Sequence, residues 1–507
     1  MLPGGASRAP SGRIASSPCA GEPVSKPSDV LPGAPGASSS VAARGTLELR
    51  DSEFAGVVGV ARANINPPPG IFARTWGSSK HDIATGIHKP LLATCVVFSD
   101  VPRAKQLVLL ALDLSWWNSK PDELDLRTAI LEGTGLQEHE LMLHPSHTHS
   151  APRTALEFAD RPGGHLIPQY RGMLKKTCIE LVARARASLA PATLTWRSGH
   201  CGLAFNRELP VPGRDQILCG LNPAVKADDT LLVGRVVDGT GHVRCTFVNY
   251  ACHPISLGGA NTLISPDYVG AMRETVEAGC GGGECAFLHG ASGNQAPRRS
   301  FEQDPAIADQ NGREVGYAAL SVLASMFPPQ VSLSYAGVEE SGTPLAIWKE
   351  HRNSASARLS SRRVTVRLAI ADLPSSEELR RAIQEASESY MVERLTRRLL
   401  ARESVGDGNE GDFSFNIWQL GDSFILGTPA EMHTAFQLEL RRRFPHNSVA
   451  VLNIVNGYAS YLPPREDYAV GAYPVRVALY REGSMEAVLE AADRTMRELL
   501  AESAEAP

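Results

Sequence analysis

The sequence predicts an α/β fold of mixed β-sheets flanked by helices. Two observations carry this: short apolar runs bounded by turn residues, and amphipathic stretches of helical period between them. A third supports it, since several of the runs end in histidine, glutamate or tyrosine. Residues 107–114 (LVLLALDL) read as a strand buried on both faces. A helix is expected over 121–131, then a short strand over 140–143 that runs into His144-Pro145-Ser146-His147-Thr148-His149. Residues 167–189 form a long amphipathic helix, and 233–250 a hairpin turning at Asp238-Gly239. A strand over 285–288 and a helix over 307–327 follow. Ser375 opens another helix through a capping box with Glu378. Leu379, Ile383, Ala386, Tyr390, Leu395 and Leu399 give that helix one apolar stripe, and its Glu/Arg-rich remainder reads as a solvated face. The pattern closes with a β-hairpin over 413–427, a helix over 429–443, a strand over 449–455 and a helix over 485–500.

The 507 residues suffice for one large domain or two medium ones. A chain this long buries about three quarters of its unfolded surface and needs no disulfides to hold its core. The nine cysteines are scattered singly with no C-x-x-C pair, which argues against a disulfide framework and against a thiolate zinc site. Cys280 and Cys285 flank three glycines and are the one pair close enough in sequence to bridge; free thiols are the default. The formal net charge is −5, with both signs interspersed and no basic stripe, so no nucleic-acid partner is expected. No apolar run reaches the roughly 18 to 20 residues of a transmembrane helix. The N-terminus lacks the apolar core of a secretory signal, which points to the cytoplasm. Residues 1–44, rich in Gly, Pro, Ala and Ser, read as a disordered leader ahead of a catalytic domain over 45–507.

The densest chemical signal is His147-Thr148-His149. Residues two apart on an extended chain point the same way, so the two imidazoles converge on one spot. His253, in NYACHP, follows another apolar run, and Glu431, in GTPAE, sits where a strand gives way to a helix. Tyr458, Tyr461, Tyr468 and Tyr473 follow a further strand. Each has an ordinary structural explanation when taken singly. The histidines can be hydrogen-bonded at strand ends, and Glu431 can be a first-turn glutamate favoured by the helix dipole. Together, two neutral imidazoles, a carboxylate and a phenolate make a donor set suited to zinc.

The order of motifs is specific. GVARANINPPPG, LALDLS, HPSHTHSAP, FNRELP, GLNPAVKADD, NYACHPISLG, SPDYVGAMRE, FLHGASGNQAPR, GTPAE and NGYASYLPPREDYAVGAY run from about residue 57 to 475. In this order they resemble the catalytic domain of neutral, non-lysosomal ceramidases. The resemblance implies one zinc ion held by His147, His253, Glu431 and Tyr461, the last in preference to Tyr458. It makes His149 a polar neighbour of the metal, Arg207 a ligand of the substrate oxygen, and Tyr473 a further active-site residue. It also implies a small-molecule or lipid substrate and a role in sphingolipid metabolism. Three departures stand out: Ala296 occupies the place of a family serine regarded as catalytic, Asn64 that of an early aspartate, and the chain ends at Pro507, about where a C-terminal β-sandwich domain would begin. Ser292 lies four residues from the lost serine and is not expected to replace it.

Zinc lowers the pKa of bound water from 15.7 to about 7, enough to supply hydroxide at neutral pH without a serine nucleophile. The expectation is therefore amide hydrolysis by a zinc-activated water. Arg207 and His149 would stabilise the oxyanion, and Tyr473 or His149 would protonate the leaving nitrogen. Two alternatives remain open: a non-catalytic homologue that binds metal or ligand, and a hydrolase of small N-acyl compounds or esters. Trp116, Trp117, Phe158 and Leu166 are candidates for the rim of an apolar cleft.

Overall fold

The computed structural model describes residues 47–100 and 105–505. Its framework is an eight-stranded sheet made of β1 (Ser52–Asn64), β2 (Leu92–Ser99), β3 (Gln106–Leu112), β4 (Leu141–Pro145), β5 (Ala190–His200), β6 (Thr230–Asp238), β7 (Val243–Tyr250) and β8 (Glu284–His289). The strand order is β8-β7-β6-β5-β1-β2-β3-β4. The central pairs are antiparallel, whereas the two outermost pairs, β7 with β8 and β3 with β4, are parallel. A second sheet has the order β9 (Leu359–Ala369), β10 (Glu410–Leu420), β11 (Ser423–Gly427) and β12 (Ser448–Leu452).

The helices are α1 (Lys120–Thr134), α2 (Ile167–Ala187), α3 (Tyr268–Gly279), α4 (Pro305–Ser325), α5 (Ser376–Glu385), α6 (Ser389–Val405), α7 (Thr434–Arg443) and α8 (Ser484–Glu505). Side-chain alternation along the strands sorts them into layers. Cys95 and Val97 of β2 face α2, while Val96 and Phe98 face the second sheet. Leu231 and Val233 of β6 meet α3 and α4. The far side of the second sheet, with Phe413, Phe415 and Val451, is covered by α7 and α8. The result is four layers, helix-sheet-sheet-helix, which is the mixed α/β architecture expected. Gly59 of β1 is required by this packing, since a Cβ there would lie 1.9 Å from the Ala185 carbonyl oxygen of α2.

The expected elements recur with shifted ends, and three expectations are corrected. The helix opened by the Ser375–Glu378 capping box is two helices, because Ala386 turns extended (φ −74°, ψ 122°) and α6 starts afresh at Ser389. Ser387 and Ser389 are weak helix-interior residues, which explains the break. The helix expected over 429–443 begins only at Thr434. Glu431 and Met432 are instead extended and pair in parallel with Tyr461 and Leu462, and the Glu431 amide donates to the Ser460 carbonyl (2.8 Å). The strand leading to His147 stops at Pro145, and His147 itself has φ +68°. Leu47–Pro507 cluster as one compact unit; the leader expected over 1–44 lies outside the described residues. Cys280 and Cys285 are both free thiols.

The two parallel edges of the large sheet come together. The His289 amide of β8 donates to Nε2 of His144 on β4 (2.9 Å). The segment after β12 joins both: the Asn453 amide donates to the His289 carbonyl (3.0 Å), and the Asn456 amide to the Leu143 carbonyl (3.1 Å). The Asn456 side chain accepts from the Leu143 amide (2.8 Å) and donates to the Leu141 carbonyl (2.6 Å). Asn456 has φ +53°, a conformation asparagine tolerates better than most residues. Asn456→Ala removes two of these bonds and leaves buried backbone groups unpaired, so it should cost about 2–5 kcal/mol, read as a lower urea midpoint.

Candidate metal centre

Three chain segments meet where the sheet edges close. The turn after β4 carries His147 and His149, the turn after β7 carries His253, and the strand-like Glu431–Met432 carries the carboxylate. Nε2 of His253 lies 2.8 Å and Nε2 of His147 3.4 Å from Oε2 of Glu431. His147, His253 and Glu431 are essentially inaccessible to solvent.

The outer contacts fix the state of each ring. Nδ1 of His253 faces the carbonyl oxygens of Ser292 (2.7 Å) and Gln295 (3.1 Å). Nδ1 of His147 faces the carbonyl of Ser115 (3.3 Å). Carbonyls only accept, so both rings carry their proton on Nδ1 and aim an Nε2 lone pair at an anionic oxygen. Such a cluster of acceptors suits a cation, and the carbonyl support on the far nitrogen is what metal-binding imidazoles ordinarily have. Burial drives His253 down to about 3, keeping it neutral. Burial pushes the Glu431 carboxyl up, but the neighbouring imidazoles outweigh it and hold Glu431 well below the usual range. The donor set is therefore in the form a divalent metal requires.

His149 is placed differently. Its Nε2 lies 3.4 Å from Nε2 of His147, and its ring sits beside Trp76 (4.7 Å between centroids) and Trp116 (4.8 Å). A ligand atom from each of His147, His149 and His253 falls within 4.8 Å of the others, so the geometry admits His149 to the donor set. Its Nδ1, however, is buried with no partner among the described residues, unlike that of the other two. His147 and His149 thus converge as expected, though through a left-handed turn rather than through strand alternation.

The tyrosines divide the remaining contacts. The Tyr458 hydroxyl donates to Oε1 of Glu431 (3.1 Å). Nη2 of Arg207 donates to the Tyr461 hydroxyl (2.8 Å) and, with Nε, to the Gly293 carbonyl. The Tyr461 ring lies parallel to that of His253, 6.5 Å between centroids, and meets Tyr473 edge-on. Burial raises the hydroxyl pKa of Tyr458, Tyr461 and Tyr473. Tyr468 points elsewhere, donating to the Tyr480 carbonyl (2.9 Å).

Ala296 is buried in a short strand pair opposite Phe205. Ser292 is also buried, its hydroxyl 2.9 Å from Nδ1 of His253 and 2.6 Å from Nε2 of His289. Ser292 was weighed in the sequence as a stand-in for the family serine, but His289 was not singled out. Nor was a neighbouring group, Glu208, His433 and Asp467, whose ligand atoms also lie within 4.8 Å of one another. Each is one to six residues beyond Arg207, Glu431 or Tyr461 in the chain. The helix expected from Pro429 onward hid His433.

A cavity of about 710 Å³ opens against this centre, lined by Tyr458 and Tyr473 and by Trp116, whose ring meets His147 edge-on. Trp117 and Phe158 line it as expected. Leu166 does not, since it packs against the helix-covered core.

No family profile matches the chain. The neutral ceramidase of Pseudomonas aeruginosa is 24% identical over 468 residues, covering 83% of this chain and 69% of that protein. The chain is a distant relative of the neutral ceramidases. Two solved structures share the fold at a TM-score of 0.61: the neutral ceramidase from Pseudomonas aeruginosa (19% identity, 87% of this chain and 73% of that one) and a ceramidase complexed with C2 (18%, 86% and 74%).

His144, His149, His253 and His289 are all driven down by burial, His144 to about 3. A ring held neutral in the fold gains its proton only on unfolding, so stability present above about pH 6.5 is lost as pH falls toward 3. In chelator, the urea midpoint should fall steadily from pH 7.5 to 5, by about 2 kcal/mol for each such histidine. A flat profile would mean these rings are protonated in the folded protein.

Proposed function

We propose that this chain is a zinc-dependent hydrolase of acyl–nitrogen bonds, with its catalytic domain over 45–507. The observation that carries the reading is the convergence of His147, His253 and Glu431, lone pairs inward, beside a cavity whose lining includes Trp116, which meets the His147 ring, and Tyr458, which bonds Glu431. The distant likeness to a neutral ceramidase supplies the reaction class, hydrolysis of an N-acyl lipid, with ester cleavage close behind.

His147, His253 and Glu431 hold the metal, and Tyr461 completes the set. The Arg207 guanidinium on its hydroxyl favours the phenolate against the opposing effect of burial. A zinc ion bound there supplies Lewis acidity and brings the pKa of a water from 15.7 to about 7. The chain's own groups do the rest. Nη1 of Arg207 makes no hydrogen bond among the described residues and is free to donate to the substrate carbonyl oxygen as charge builds on it. His149, neutral and beside His147, donates to the same oxygen. Tyr473 keeps its proton at neutral pH because burial raises its pKa, and it lines the cavity where a leaving nitrogen would take that proton. Water adds across the bond, leaving a carboxylic acid and an amine. No serine is needed, in keeping with Ala296.

A non-catalytic metal-binding homologue is the second reading, favoured by the position of His149 among the donors. The two readings separate at that residue. As a polar neighbour, His149→Ala keeps the metal and loses about 10²- to 10³-fold in kcat. As a filling ligand it takes metal affinity with it.

Purified protein should hold zinc and turn over N-acyl amines, and His147→Ala should lose both, by metal assay and product release. Ser292→Ala should keep its metal and at least about a tenth of its activity, because backbone carbonyls still hold His253. A metal-replete but inactive Ser292→Ala protein would make that serine the nucleophile instead.

A further inference from the structure

The cavity wall is charged in one sense only. Helix α6 contributes Arg394, Arg397, Arg398 and Arg402, and the opposite side adds Arg74, Lys120, Arg153 and Arg476. Among the described residues no aspartate or glutamate lines the cavity. Arg402 is paired with Asp407 outside it (2.9 Å), and Arg153 lies over the Trp116 ring at 4.4 Å. Arg394, Arg398, Lys120 and Arg476 make no ion pair among the described residues. The Arg-rich face of this segment is thus not simply a solvated surface; it lines the cavity that Tyr473 and Trp116 also line. Between the cations lie Leu373, Leu379, Leu400, Leu479 and Phe158, enough apolar wall for an acyl chain.

A neutral lipid gives the four cations without an ion pair among the described residues, Lys120, Arg394, Arg398 and Arg476, nothing to neutralise. An apolar cleft lined by one sign of charge focuses its field and raises the local concentration of oppositely charged ligands, with on-rate gains of about 10- to 1000-fold. Arginine also matches carboxylate, sulfonate and phosphate groups through paired N–H donors. We propose, resting on the hydrolase reading above, that the substrate is an anionic amphiphile: an N-acyl compound that carries a carboxylate or similar oxyanion as well as its acyl chain. Hydrolysis breaks the acyl carbon–nitrogen bond, the carbon taking the water's oxygen and the nitrogen a proton, and the oxyanion is untouched.

The test uses the 507-residue chain with zinc supplied and three C12 amides: N-lauroylglycine, its neutral counterpart N-lauroylglycinamide, and the monoamide of dodecanedioic acid with a free far-end carboxylate. Turnover and calorimetric binding are both read at low salt and at 0.5 M salt. At least a tenfold preference in kcat/KM for one of the acids over the neutral amide is expected, weakening in high salt. The double variant Arg394→Ala/Arg398→Ala, both residues exposed, should collapse that preference at least tenfold. Equal or better use of the neutral amide would overturn the anionic substrate and leave the hydrolase reading standing. Tenfold tighter binding of an acid without any turnover would do the reverse. Loss of binding to phosphatidylserine vesicles in the double variant, with selectivity unchanged, would reassign the arginines to a membrane surface and overturn the proposal.

Discussion

The site depends on backbone hydrogen bonds made by four residues, Asn453 to Asn456. Asn453 and Asn456 bond to the two parallel edges of an eight-stranded sheet, at His289 and Leu143, and Ile454 and Val455 between them bond to Ala430 and Thr428 beside Glu431. Without that tie His147, beyond β4, would not face His253, beyond β7, and Glu431 would have nothing to bridge. The cost is visible in the backbone. His147, Ile454, Asn456 and Ser460 all have positive φ, which is especially unfavourable for a β-branched residue such as Ile454. Such strain is maintained only where the surroundings overdetermine it, and here four residues that share it encircle one cluster of lone pairs.

Much of this was legible in the sequence because strands and helices announce themselves by period. The run 107–114, the amphipathic 167–189 and the capping box at Ser375 each correspond to an observed element. The donor set was legible because its residue types are rare together and lie just past apolar runs. What was not legible was the path of the chain at those points. His147 reaches His149 through a left-handed turn, and Glu431 is pulled out of a helix by the Ser460 carbonyl, a partner 29 residues away in sequence. Long-range backbone pairing has no local signature. For the same reason His289 and His433 carry no local signature: neither sits in a pattern that distinguishes it from a core histidine.

The arginines of α6 show the limit of reading charge by composition. On a helical wheel they belong to an exposed face, and so they are classed as solvating. Folding places that face across from Trp116, Phe158 and Tyr473, so the same charges acquire a cavity to act on. In the proposed function the metal centre and the charged cavity divide the work, one setting the reaction and the other the molecules that reach it.

Zinc K-edge absorption fine structure on the purified protein tests the central claim most directly. Two imidazoles and oxygen donors at about 2.0–2.2 Å, with the imidazole count falling by one in His253→Ala, are the result expected of this centre. A sulfur shell near 2.3 Å, or an imidazole count indifferent to His253, would place the metal elsewhere and contradict it.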